Sequence, residues 1–268
     1  TRKAGTEQLV PAFYLILQMI GESIVMEQVL KNSPKVMGIL NINNDSFYSC
    51  SRSTETTQIV ARLEQMLAEG ADIIDIGACS TRPGSTPITL EQEWEYLQKP
   101  LEAIAERYPA NMRNFGISID TFRSTIVEKA CKILGIFTVN DISAGEDDPA
   151  MLPTVGKLGL PYIAMHKRGT PATMQQLCSY PDGVVEEVID YFKNFEKKAA
   201  EHGITDYIID PGFGFAKNIG QNYTLFNGMP RIISEIEEFS GKKRDRKAKS
   251  NPFPVKSSRK NGRNLPGI

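Results

Sequence analysis

The chain has no run of about 18 consecutive apolar residues, so its sequence offers no membrane-spanning helix. It has four cysteines, Cys50, Cys79, Cys131 and Cys178, far apart and without a C-x-x-C pair. That spacing argues against a disulfide scaffold or a zinc site and reads as the reduced thiols of a cytoplasmic protein. Its two histidines, His166 and His202, have no metal-ligand partner at helical spacing. There is no G-x-S-x-G element and no Cys/His nucleophile pair. Neither G-x-G-x-x-G nor G-x-x-x-x-G-K-S/T follows the first predicted strand, which weakens a nucleotide-binding open sheet. What is present is ordinary for a soluble globular protein: 41% apolar and 24% charged residues, with 21 Gly and 16 Pro. A length of 268 residues suits one large domain or two small ones. It just accommodates a single (β/α)8 barrel of about 250 residues.

The net charge of −1 conceals an asymmetry. Residues 241–268 carry ten Lys/Arg against Asp245 alone, a charge of +9, whereas the rest of the chain sums to −10. The tail's strictly apolar residues are Ala248, Phe253, Val255, Leu265 and Ile268, too few to bury much, so disorder is expected there. Without interleaved aromatics the tail does not read as a nucleic-acid-binding arm. At the other end, Arg2 and Lys3 precede an apolar run from Val10 to Ile20 broken by Gln18. No small-x-small cleavage site follows, so a helix over roughly residues 7–30 is expected rather than a signal peptide.

Between these ends, short apolar runs alternate with helical patterns. Strands are expected at Val36–Asn41, Asp72–Gly77, Gly116–Asp120, Ile136–Asn140, Tyr162–His166 and Tyr207–Asp210. Each is followed by a helix, among them Leu90–Arg107, where Pro100 predicts a kink, and Tyr223–Phe239. Strict alternation with near-continuous apolar strands predicts an α/β fold of parallel strands covered by helices, either a barrel or an open doubly wound sheet.

Polar residues close every strand: Asn41; Gly77 with Thr81-Arg82-Pro83-Gly84; Asp120-Thr121; Asn140-Asp141; His166 with Arg168; and Asp210-Pro211-Gly212. One such residue reads as a helix cap. Six in series read as a shared mouth at the C-terminal ends of the strands. Asp120, Asn140 and Asp210 suit a flat heterocycle with an amidine-like edge. Arg82 and Arg168 suit an anion, and Asn41 offers an oxygen to a hard cation such as Mg2+. The set points to group transfer by positioning and electrostatics, without a protein nucleophile.

Six segments in order then resemble the dihydropteroate synthases, from Met37 to Phe47, Gly70–Gly84, Ser118–Thr121, Asn140–Ser143, Met165–Pro171 and Asp210–Phe215. The resemblance spans roughly residues 35 to 227 and implies a (β/α)8 TIM-barrel type of which about six β/α units are recognisable. The expected organisation is a helical N-terminal segment over 1–34, an incomplete pterin-binding barrel over 35–239 and a basic tail over 240–268. The resemblance implies a transferase of folate biosynthesis, the sulfonamide target. Such an enzyme joins p-aminobenzoate to 6-hydroxymethyl-7,8-dihydropterin diphosphate, giving 7,8-dihydropteroate and pyrophosphate. Asp120, Asn140, Ile142, Met165, Asp210 and Phe215 would bind the pterin, with Lys260 carried over weakly. Thr81, Arg82 and Pro83 would border the p-aminobenzoate and diphosphate, with Phe215 beside them, and Asn41 would bind Mg2+. A homodimer is compatible with the resemblance, while a membrane or nucleic-acid partner is not expected.

The sequence departs from that pattern in places. Asn44 stands where the family usually has proline, and Ala78-Cys79 replaces a common Gly-Glu. Ser258-Arg259-Lys260 occurs without an apolar strand before it, and no Arg-x-His follows His202, the last histidine. Six units leave the first and sixth strands as edges. The alternatives are therefore a truncated or frameshifted pterin-binding remnant with little activity, or a barrel like the methyltetrahydrofolate methyltransferases.

Overall fold

The computed structural model describes residues 34–42, 52–79, 88–170 and 173–240. The helix expected over 7–30 and the basic tail beyond Ser240 lie outside these residues. Six strands alternate with six helices: β1 (Met37–Asn41), α1 (Arg52–Ala68), β2 (Ile73–Gly77), α2 (Leu90–Arg107), β3 (Gly116–Asp120) and α3 (Ser124–Leu134). These are followed by β4 (Thr138–Asp141), α4 (Met151–Leu158), β5 (Tyr162–Met165), α5 (Val184–Glu201), β6 (Tyr207–Asp210) and α6 (Ile219–Phe239). A 3-10 turn, Met174–Gln176, precedes α5.

The strands form one parallel sheet in sequence order, β1-β2-β3-β4-β5-β6. One face of each strand meets the helices. Leu40, Ile74, Ile76, Ile117, Ile119, Val139, Tyr162 and Ala164 pack there against Ile59, Leu63, Leu97, Leu101, Ile104 and Phe192, all buried. The opposite face is concave, because Met37, Ile73, Thr138, Ile163 and Ile208, drawn from five strands including both edges, line one cavity. The sheet is therefore rolled, and β1 and β6 make no strand pair with each other among the described residues. Ile39 is 61% and Ile208 46% exposed, both on the concave face of the edge strands. Their exposure marks the gap where a complete barrel would continue.

Local chemistry sets the helix ends. Thr89 Oγ1 accepts from Gln92 N at 3.2 Å and Gln92 Oε1 accepts from Thr89 N at 2.9 Å, a reciprocal cap at the start of α2. α2 then continues through Pro100, whose ring is buried. The helix expected to begin at Tyr223 begins at Ile219 instead. Asn218 and Gln221 form the same reciprocal cap, both bonds at 2.9 Å, and so recruit an extra turn with no apolar stripe to announce it. Strand β4 starts at Thr138, two residues later than expected, because Gly135 at φ +71° turns the chain and leaves Ile136 exposed.

Two helical glycines contrast in what surrounds them. A Cβ on Gly156 in α4 would stand 1.9 Å from the carbonyl oxygen of His202, the residue that ends α5. A Cβ on Gly220 in α6 would meet nothing closer than 3.5 Å. Gly156→Ala is expected to destabilise the protein by about 2–3 kcal/mol, because backbone must move to admit the methyl. Gly220→Ala is expected to stabilise it by about 0.5 kcal/mol by restricting the unfolded chain. Urea titration of both variants checks the pair, and equal midpoints would overturn the packing argument.

Candidate active site

The parallel register gathers the strand ends at one end of the sheet, with the Met165–Asp210 pair two residues beyond the row of Asn140, which partners Ile163. Asn41, Gly77, Asp120 and Asn140 are successive Cα partners across β1, β2, β3 and β4, and Met165 of β5 partners Asp210 of β6. These residues lie on the concave face. Gly77 makes room for its neighbour, since a Cβ there would come within 3.1 Å of Asp120 Oδ2. One step further down the strands, Asp75, Ser118 and Thr138 form a second row, all three buried. Asn140 Nδ2 donates to Asp75 Oδ2 at 3.1 Å and so ties the two rows together.

Asp75 is the acidic residue the strand reading passed over, because it sits mid-strand in an otherwise apolar run. Its parity with Gly77 was the available signal. Asp75 Oδ1 is buried without a partner among the described residues. Burial pushes the Asp75 carboxyl above the usual range, opposed by the nearby Ser118 hydroxyl and the Asn140 amide. Asp120 is pushed well above that range, chiefly by burial, with the charges of Asp75, Glu93 and Asp141 adding. Two acids of like charge thus share the β2–β3 side of the site without a described cation between them.

The turns after β3 and β4 are braced from outside. Glu93 of α2, wholly buried, accepts from Thr121 Oγ1 at 2.7 Å and pairs with Arg123. Arg123 also donates to the Ile88 carbonyl at 2.7 Å. This network fixes the turn that follows Asp120. The helix α3 takes Arg123 as its N-cap, so Asp120 is not a cap and its carboxyl is free for the concave face. Asp141 is the opposite case. It points beneath the helices and accepts from Ser143 N (2.7 Å), Ser143 Oγ (2.7 Å), Gly145 N (2.8 Å) and Tyr162 Oη (2.6 Å). The loop-building role holds for Asp141, and the next loop residue, Ile142, is half-buried.

On the β5–β6 side, Asp210 Oδ1 accepts from Gly212 N at 2.8 Å. Burial raises the Asp210 carboxyl, while the Gly212 amide and the charge of Lys217 lower it. Gly212 has φ +67°, and a Cβ on it would lie 2.0 Å from the His166 carbonyl oxygen, so the loop can pass only as glycine. Met165 is buried and Phe215 half-buried at this end. Lys217, also passed over in the sequence, is buried beneath the loop, and its Nζ lies 2.9 Å from His166 Nδ1. Arg168, expected to meet an anion, is already engaged. It pairs with Glu187 at 3.1 Å, donates to the Ser179 carbonyl and stacks on the Tyr180 ring at 4.5 Å.

Thr81, Arg82, Pro83 and Lys260 lie outside the described residues. Asn41, at the end of β1, is exposed. Among the described residues no group of three or more His, Cys, Asp or Glu is placed to hold a metal ion. Asn41 offers one neutral, hard oxygen, which fits Mg2+ only as a single ligand beside oxygens brought by a substrate.

A family model described as "Pterin binding enzyme" matches residues 37–260. The chain is 39% identical over 212 residues to the mitochondrial folate synthesis bifunctional protein of Arabidopsis thaliana, covering 78% of this chain and 38% of that protein. It is 36% identical over 209 residues to the dihydropteroate synthase of Neisseria meningitidis serogroup C, covering 76% of this chain and 71% of that one. Among solved structures, that of the Yersinia pestis dihydropteroate synthase with a sulfonamide drug complex superposes with a TM-score of 0.65 at 32% identity, over 77% of this chain and 71% of that one. The chain thus spans well under half the length of the plant relative. With six parallel strands in matching order and a family match that runs through all of them, the chain belongs to the pterin-binding enzyme family, on its dihydropteroate synthase branch.

Proposed function

We propose that this chain binds a reduced pterin against the C-terminal ends of β3, β4 and β6. We further propose that it joins p-aminobenzoate to 6-hydroxymethyl-7,8-dihydropterin diphosphate. The observation that carries the reading is the placement of Asp120, Asn140 and Asp210 on one concave face at one end of the sheet. A pterin presents an amidine-like edge with parallel N–H groups, which a carboxylate accepts in pairs. Asp120 and Asp210 supply acceptors and Asn140 supplies both kinds of group. Ile142, Met165 and Phe215 would flank the ring's faces. The likeness to synthases, one of them solved with a sulfonamide drug, supports the same substrate class.

In the proposed reaction the arylamine nitrogen forms a bond to the pterin methylene carbon. The carbon–oxygen bond to the diphosphate breaks with its electron pair leaving on pyrophosphate, and the amine loses a proton. The amine is neutral, so the protein's burden is to hold the two substrates in line and to keep water away from a cationic carbon. Asp120 and Asp210 face that developing charge across the ring. Thr81, Arg82 and Pro83 would border the amine and the diphosphate, and Lys260 would reach the pterin. Mg2+, with Asn41 as one ligand, would neutralise charge on the departing pyrophosphate.

The chain mixed with both substrates and Mg2+ is expected to form 7,8-dihydropteroate, followed by chromatography. Pteroate binding without product would instead identify a pterin-binding remnant, and the absence of both would overturn the reading.

Asp120→Asn is expected to weaken pteroate binding about 10- to 100-fold, the worth of a bond to a charged acceptor. The same variant is expected to make the ligand-free protein more stable at neutral pH. Asp120 holds its proton more tightly folded than unfolded, so its contribution is full below the unfolded value near about 4 and is lost as pH rises. Asparagine does not titrate, so the gain in Tm over wild type should grow from pH 5 to pH 8. A Tm difference independent of pH would contradict the burial of an acidic pair.

A further inference from the structure

Lys217 is a buried cation whose bonds among the described residues go to neutral acceptors. Its Nζ donates to the Gly212 carbonyl at 2.9 Å and to the Phe215 carbonyl at 3.0 Å, and lies 2.9 Å from His166 Nδ1. The lysine and histidine side chains are both almost fully enclosed, at 3% and 0% exposure. An ammonium has no acceptor to offer, so His166 Nδ1 must be the acceptor and its proton must reside on Nε2. That Nε2 is buried with no hydrogen-bond partner among the described residues, and the ring instead stands edge-on to Tyr191 at 4.8 Å. A buried N–H without a partner is costly. A hydrophobic residue would remove that cost but would leave the lysine one acceptor short.

The same arrangement determines where the lysine's charge acts. Burial and the neighbouring cations Lys217 and Arg168 hold the His166 imidazole down to about 3, so it is neutral at physiological pH. It satisfies a proton of the ammonium without cancelling the charge. The carboxyl that feels that charge is Asp210, at the end of β6, which also lends its Oδ1 to the Gly212 amide of the same loop. The titratable and charged groups facing Lys217 and His166 are Asp210 from β6, Arg168 from the end of β5, Cys178 and Tyr180 from the segment before α5, and Tyr191 from α5.

We propose that Lys217 is a positioning residue for the site: it fixes the loop carrying Gly212 and Phe215 from beneath, and its charge stands behind the Asp210 carboxylate, with His166 as the neutral acceptor that leaves this charge intact. In this arrangement Asp210 is supported on the β5–β6 side of the site, whereas Asp120 on the β2–β3 side has no such support among the described residues. The consequence for pterin binding rests on the function proposed above, whereas the loop and the titration can be read without any ligand.

The experiment compares wild type with Lys217→Met, His166→Leu and His166→Asn in the full chain. Asparagine keeps an acceptor oxygen close to the Nδ1 position and leucine does not. Carboxyl carbon NMR on aspartate-labelled protein, with Asp210→Asn to assign the signal, follows the Asp210 titration. Removal of Lys217 should move it upward by about one pH unit, the lower end of what a nearby opposite charge is worth. It should leave the Asp120 signal in place, and His166→Asn should leave Asp210 where wild type has it. Hydrogen exchange at pH 7 should quicken at least tenfold over residues 211–218 in Lys217→Met and His166→Leu, with strands β2 to β4 unchanged and His166→Asn close to wild type. An Asp210 titration identical in wild type and Lys217→Met overturns the electrostatic role. Unchanged loop exchange in both Lys217→Met and His166→Leu overturns the positioning. Should Lys217→Met fail to fold, the contrast between His166→Leu and His166→Asn decides. Pteroate affinity is then expected to fall at least tenfold with the loop variants. Wild-type protein that binds no pteroate at all defeats the proposed function, while the titration still decides on Lys217.

Discussion

A carboxyl group drawn away from water, with no cation beside it among the described residues, is the constraint on which the open end of this sheet depends. Asp75 and Asp120 are both in that condition, and the charge of Asp75 adds to the cost of ionising Asp120. Nothing about packing calls for them. Gly77 has surrendered its side chain to leave Asp120 space, and Asn140 spends an amide hydrogen on Asp75. The helices and loops outside absorb the cost. The Glu93–Arg123–Thr121 network and the four bonds to Asp141 hold the strand ends rigid, so the acids cannot relax toward water. Fixed acceptors facing one concave surface are what a ring with parallel N–H donors requires.

The two sides of the mouth solve the electrostatic problem differently. Around β2 and β3, acids cluster and their neighbours are other acids. Around β6, a single acid has a buried lysine behind it and a backbone amide on its oxygen. A ligand that bridges the two therefore meets two carboxyls that burial makes reluctant to ionise, one pushed further by acidic neighbours and one opposed by an amide and a lysine. Such asymmetry distinguishes the two ends of a heterocycle, which two equivalent carboxylates would not.

Much of this was legible in the residues. The period of the helical patterns and the apolar strands yields six parallel β/α units in order, since each strand must bury one face against helices. Asp120, Asn140 and Asp210 stood out because they close strands. Asp75 did not, because one acid inside Ile73-Ile74-Asp75-Ile76 looks like an interruption until the register shows which face it shares. Lys217 was hidden for another reason: four residues of loop separate it from the glycine whose carbonyl it binds, and only the fold carries it back under His166. Arg168 was misjudged in the other direction. A free arginine after a strand suggests an anion, but Glu187 arrives from α5, remote in the sequence, to occupy it. Thr81, Arg82, Pro83 and Lys260 lie outside the described residues.

The concave face also explains why the sheet's edges and its polar rows belong to one problem. Along the row below the mouth, Ile39 of β1 is the Cα partner of Asp75, and Asp75 of Ser118. A polar row on β2 to β4 thus runs into an exposed isoleucine on β1, and Ile208 mirrors it on β6. The middle of the sheet puts polar atoms in these rows where a barrel would ordinarily stack branched apolar chains, while Ile73 and Ile163 stay buried on the same face and the edge isoleucines are left exposed. Covering those edges would bury Ile39 and Ile208 with a gain of about 25 cal/mol for each Å2 removed from water. It would also close the cavity beneath the acids and lower the dielectric around them, strengthening every interaction they make with a bound ring. Closure of the sheet and affinity of its mouth are therefore physically coupled, although the residues responsible for each lie on different strands.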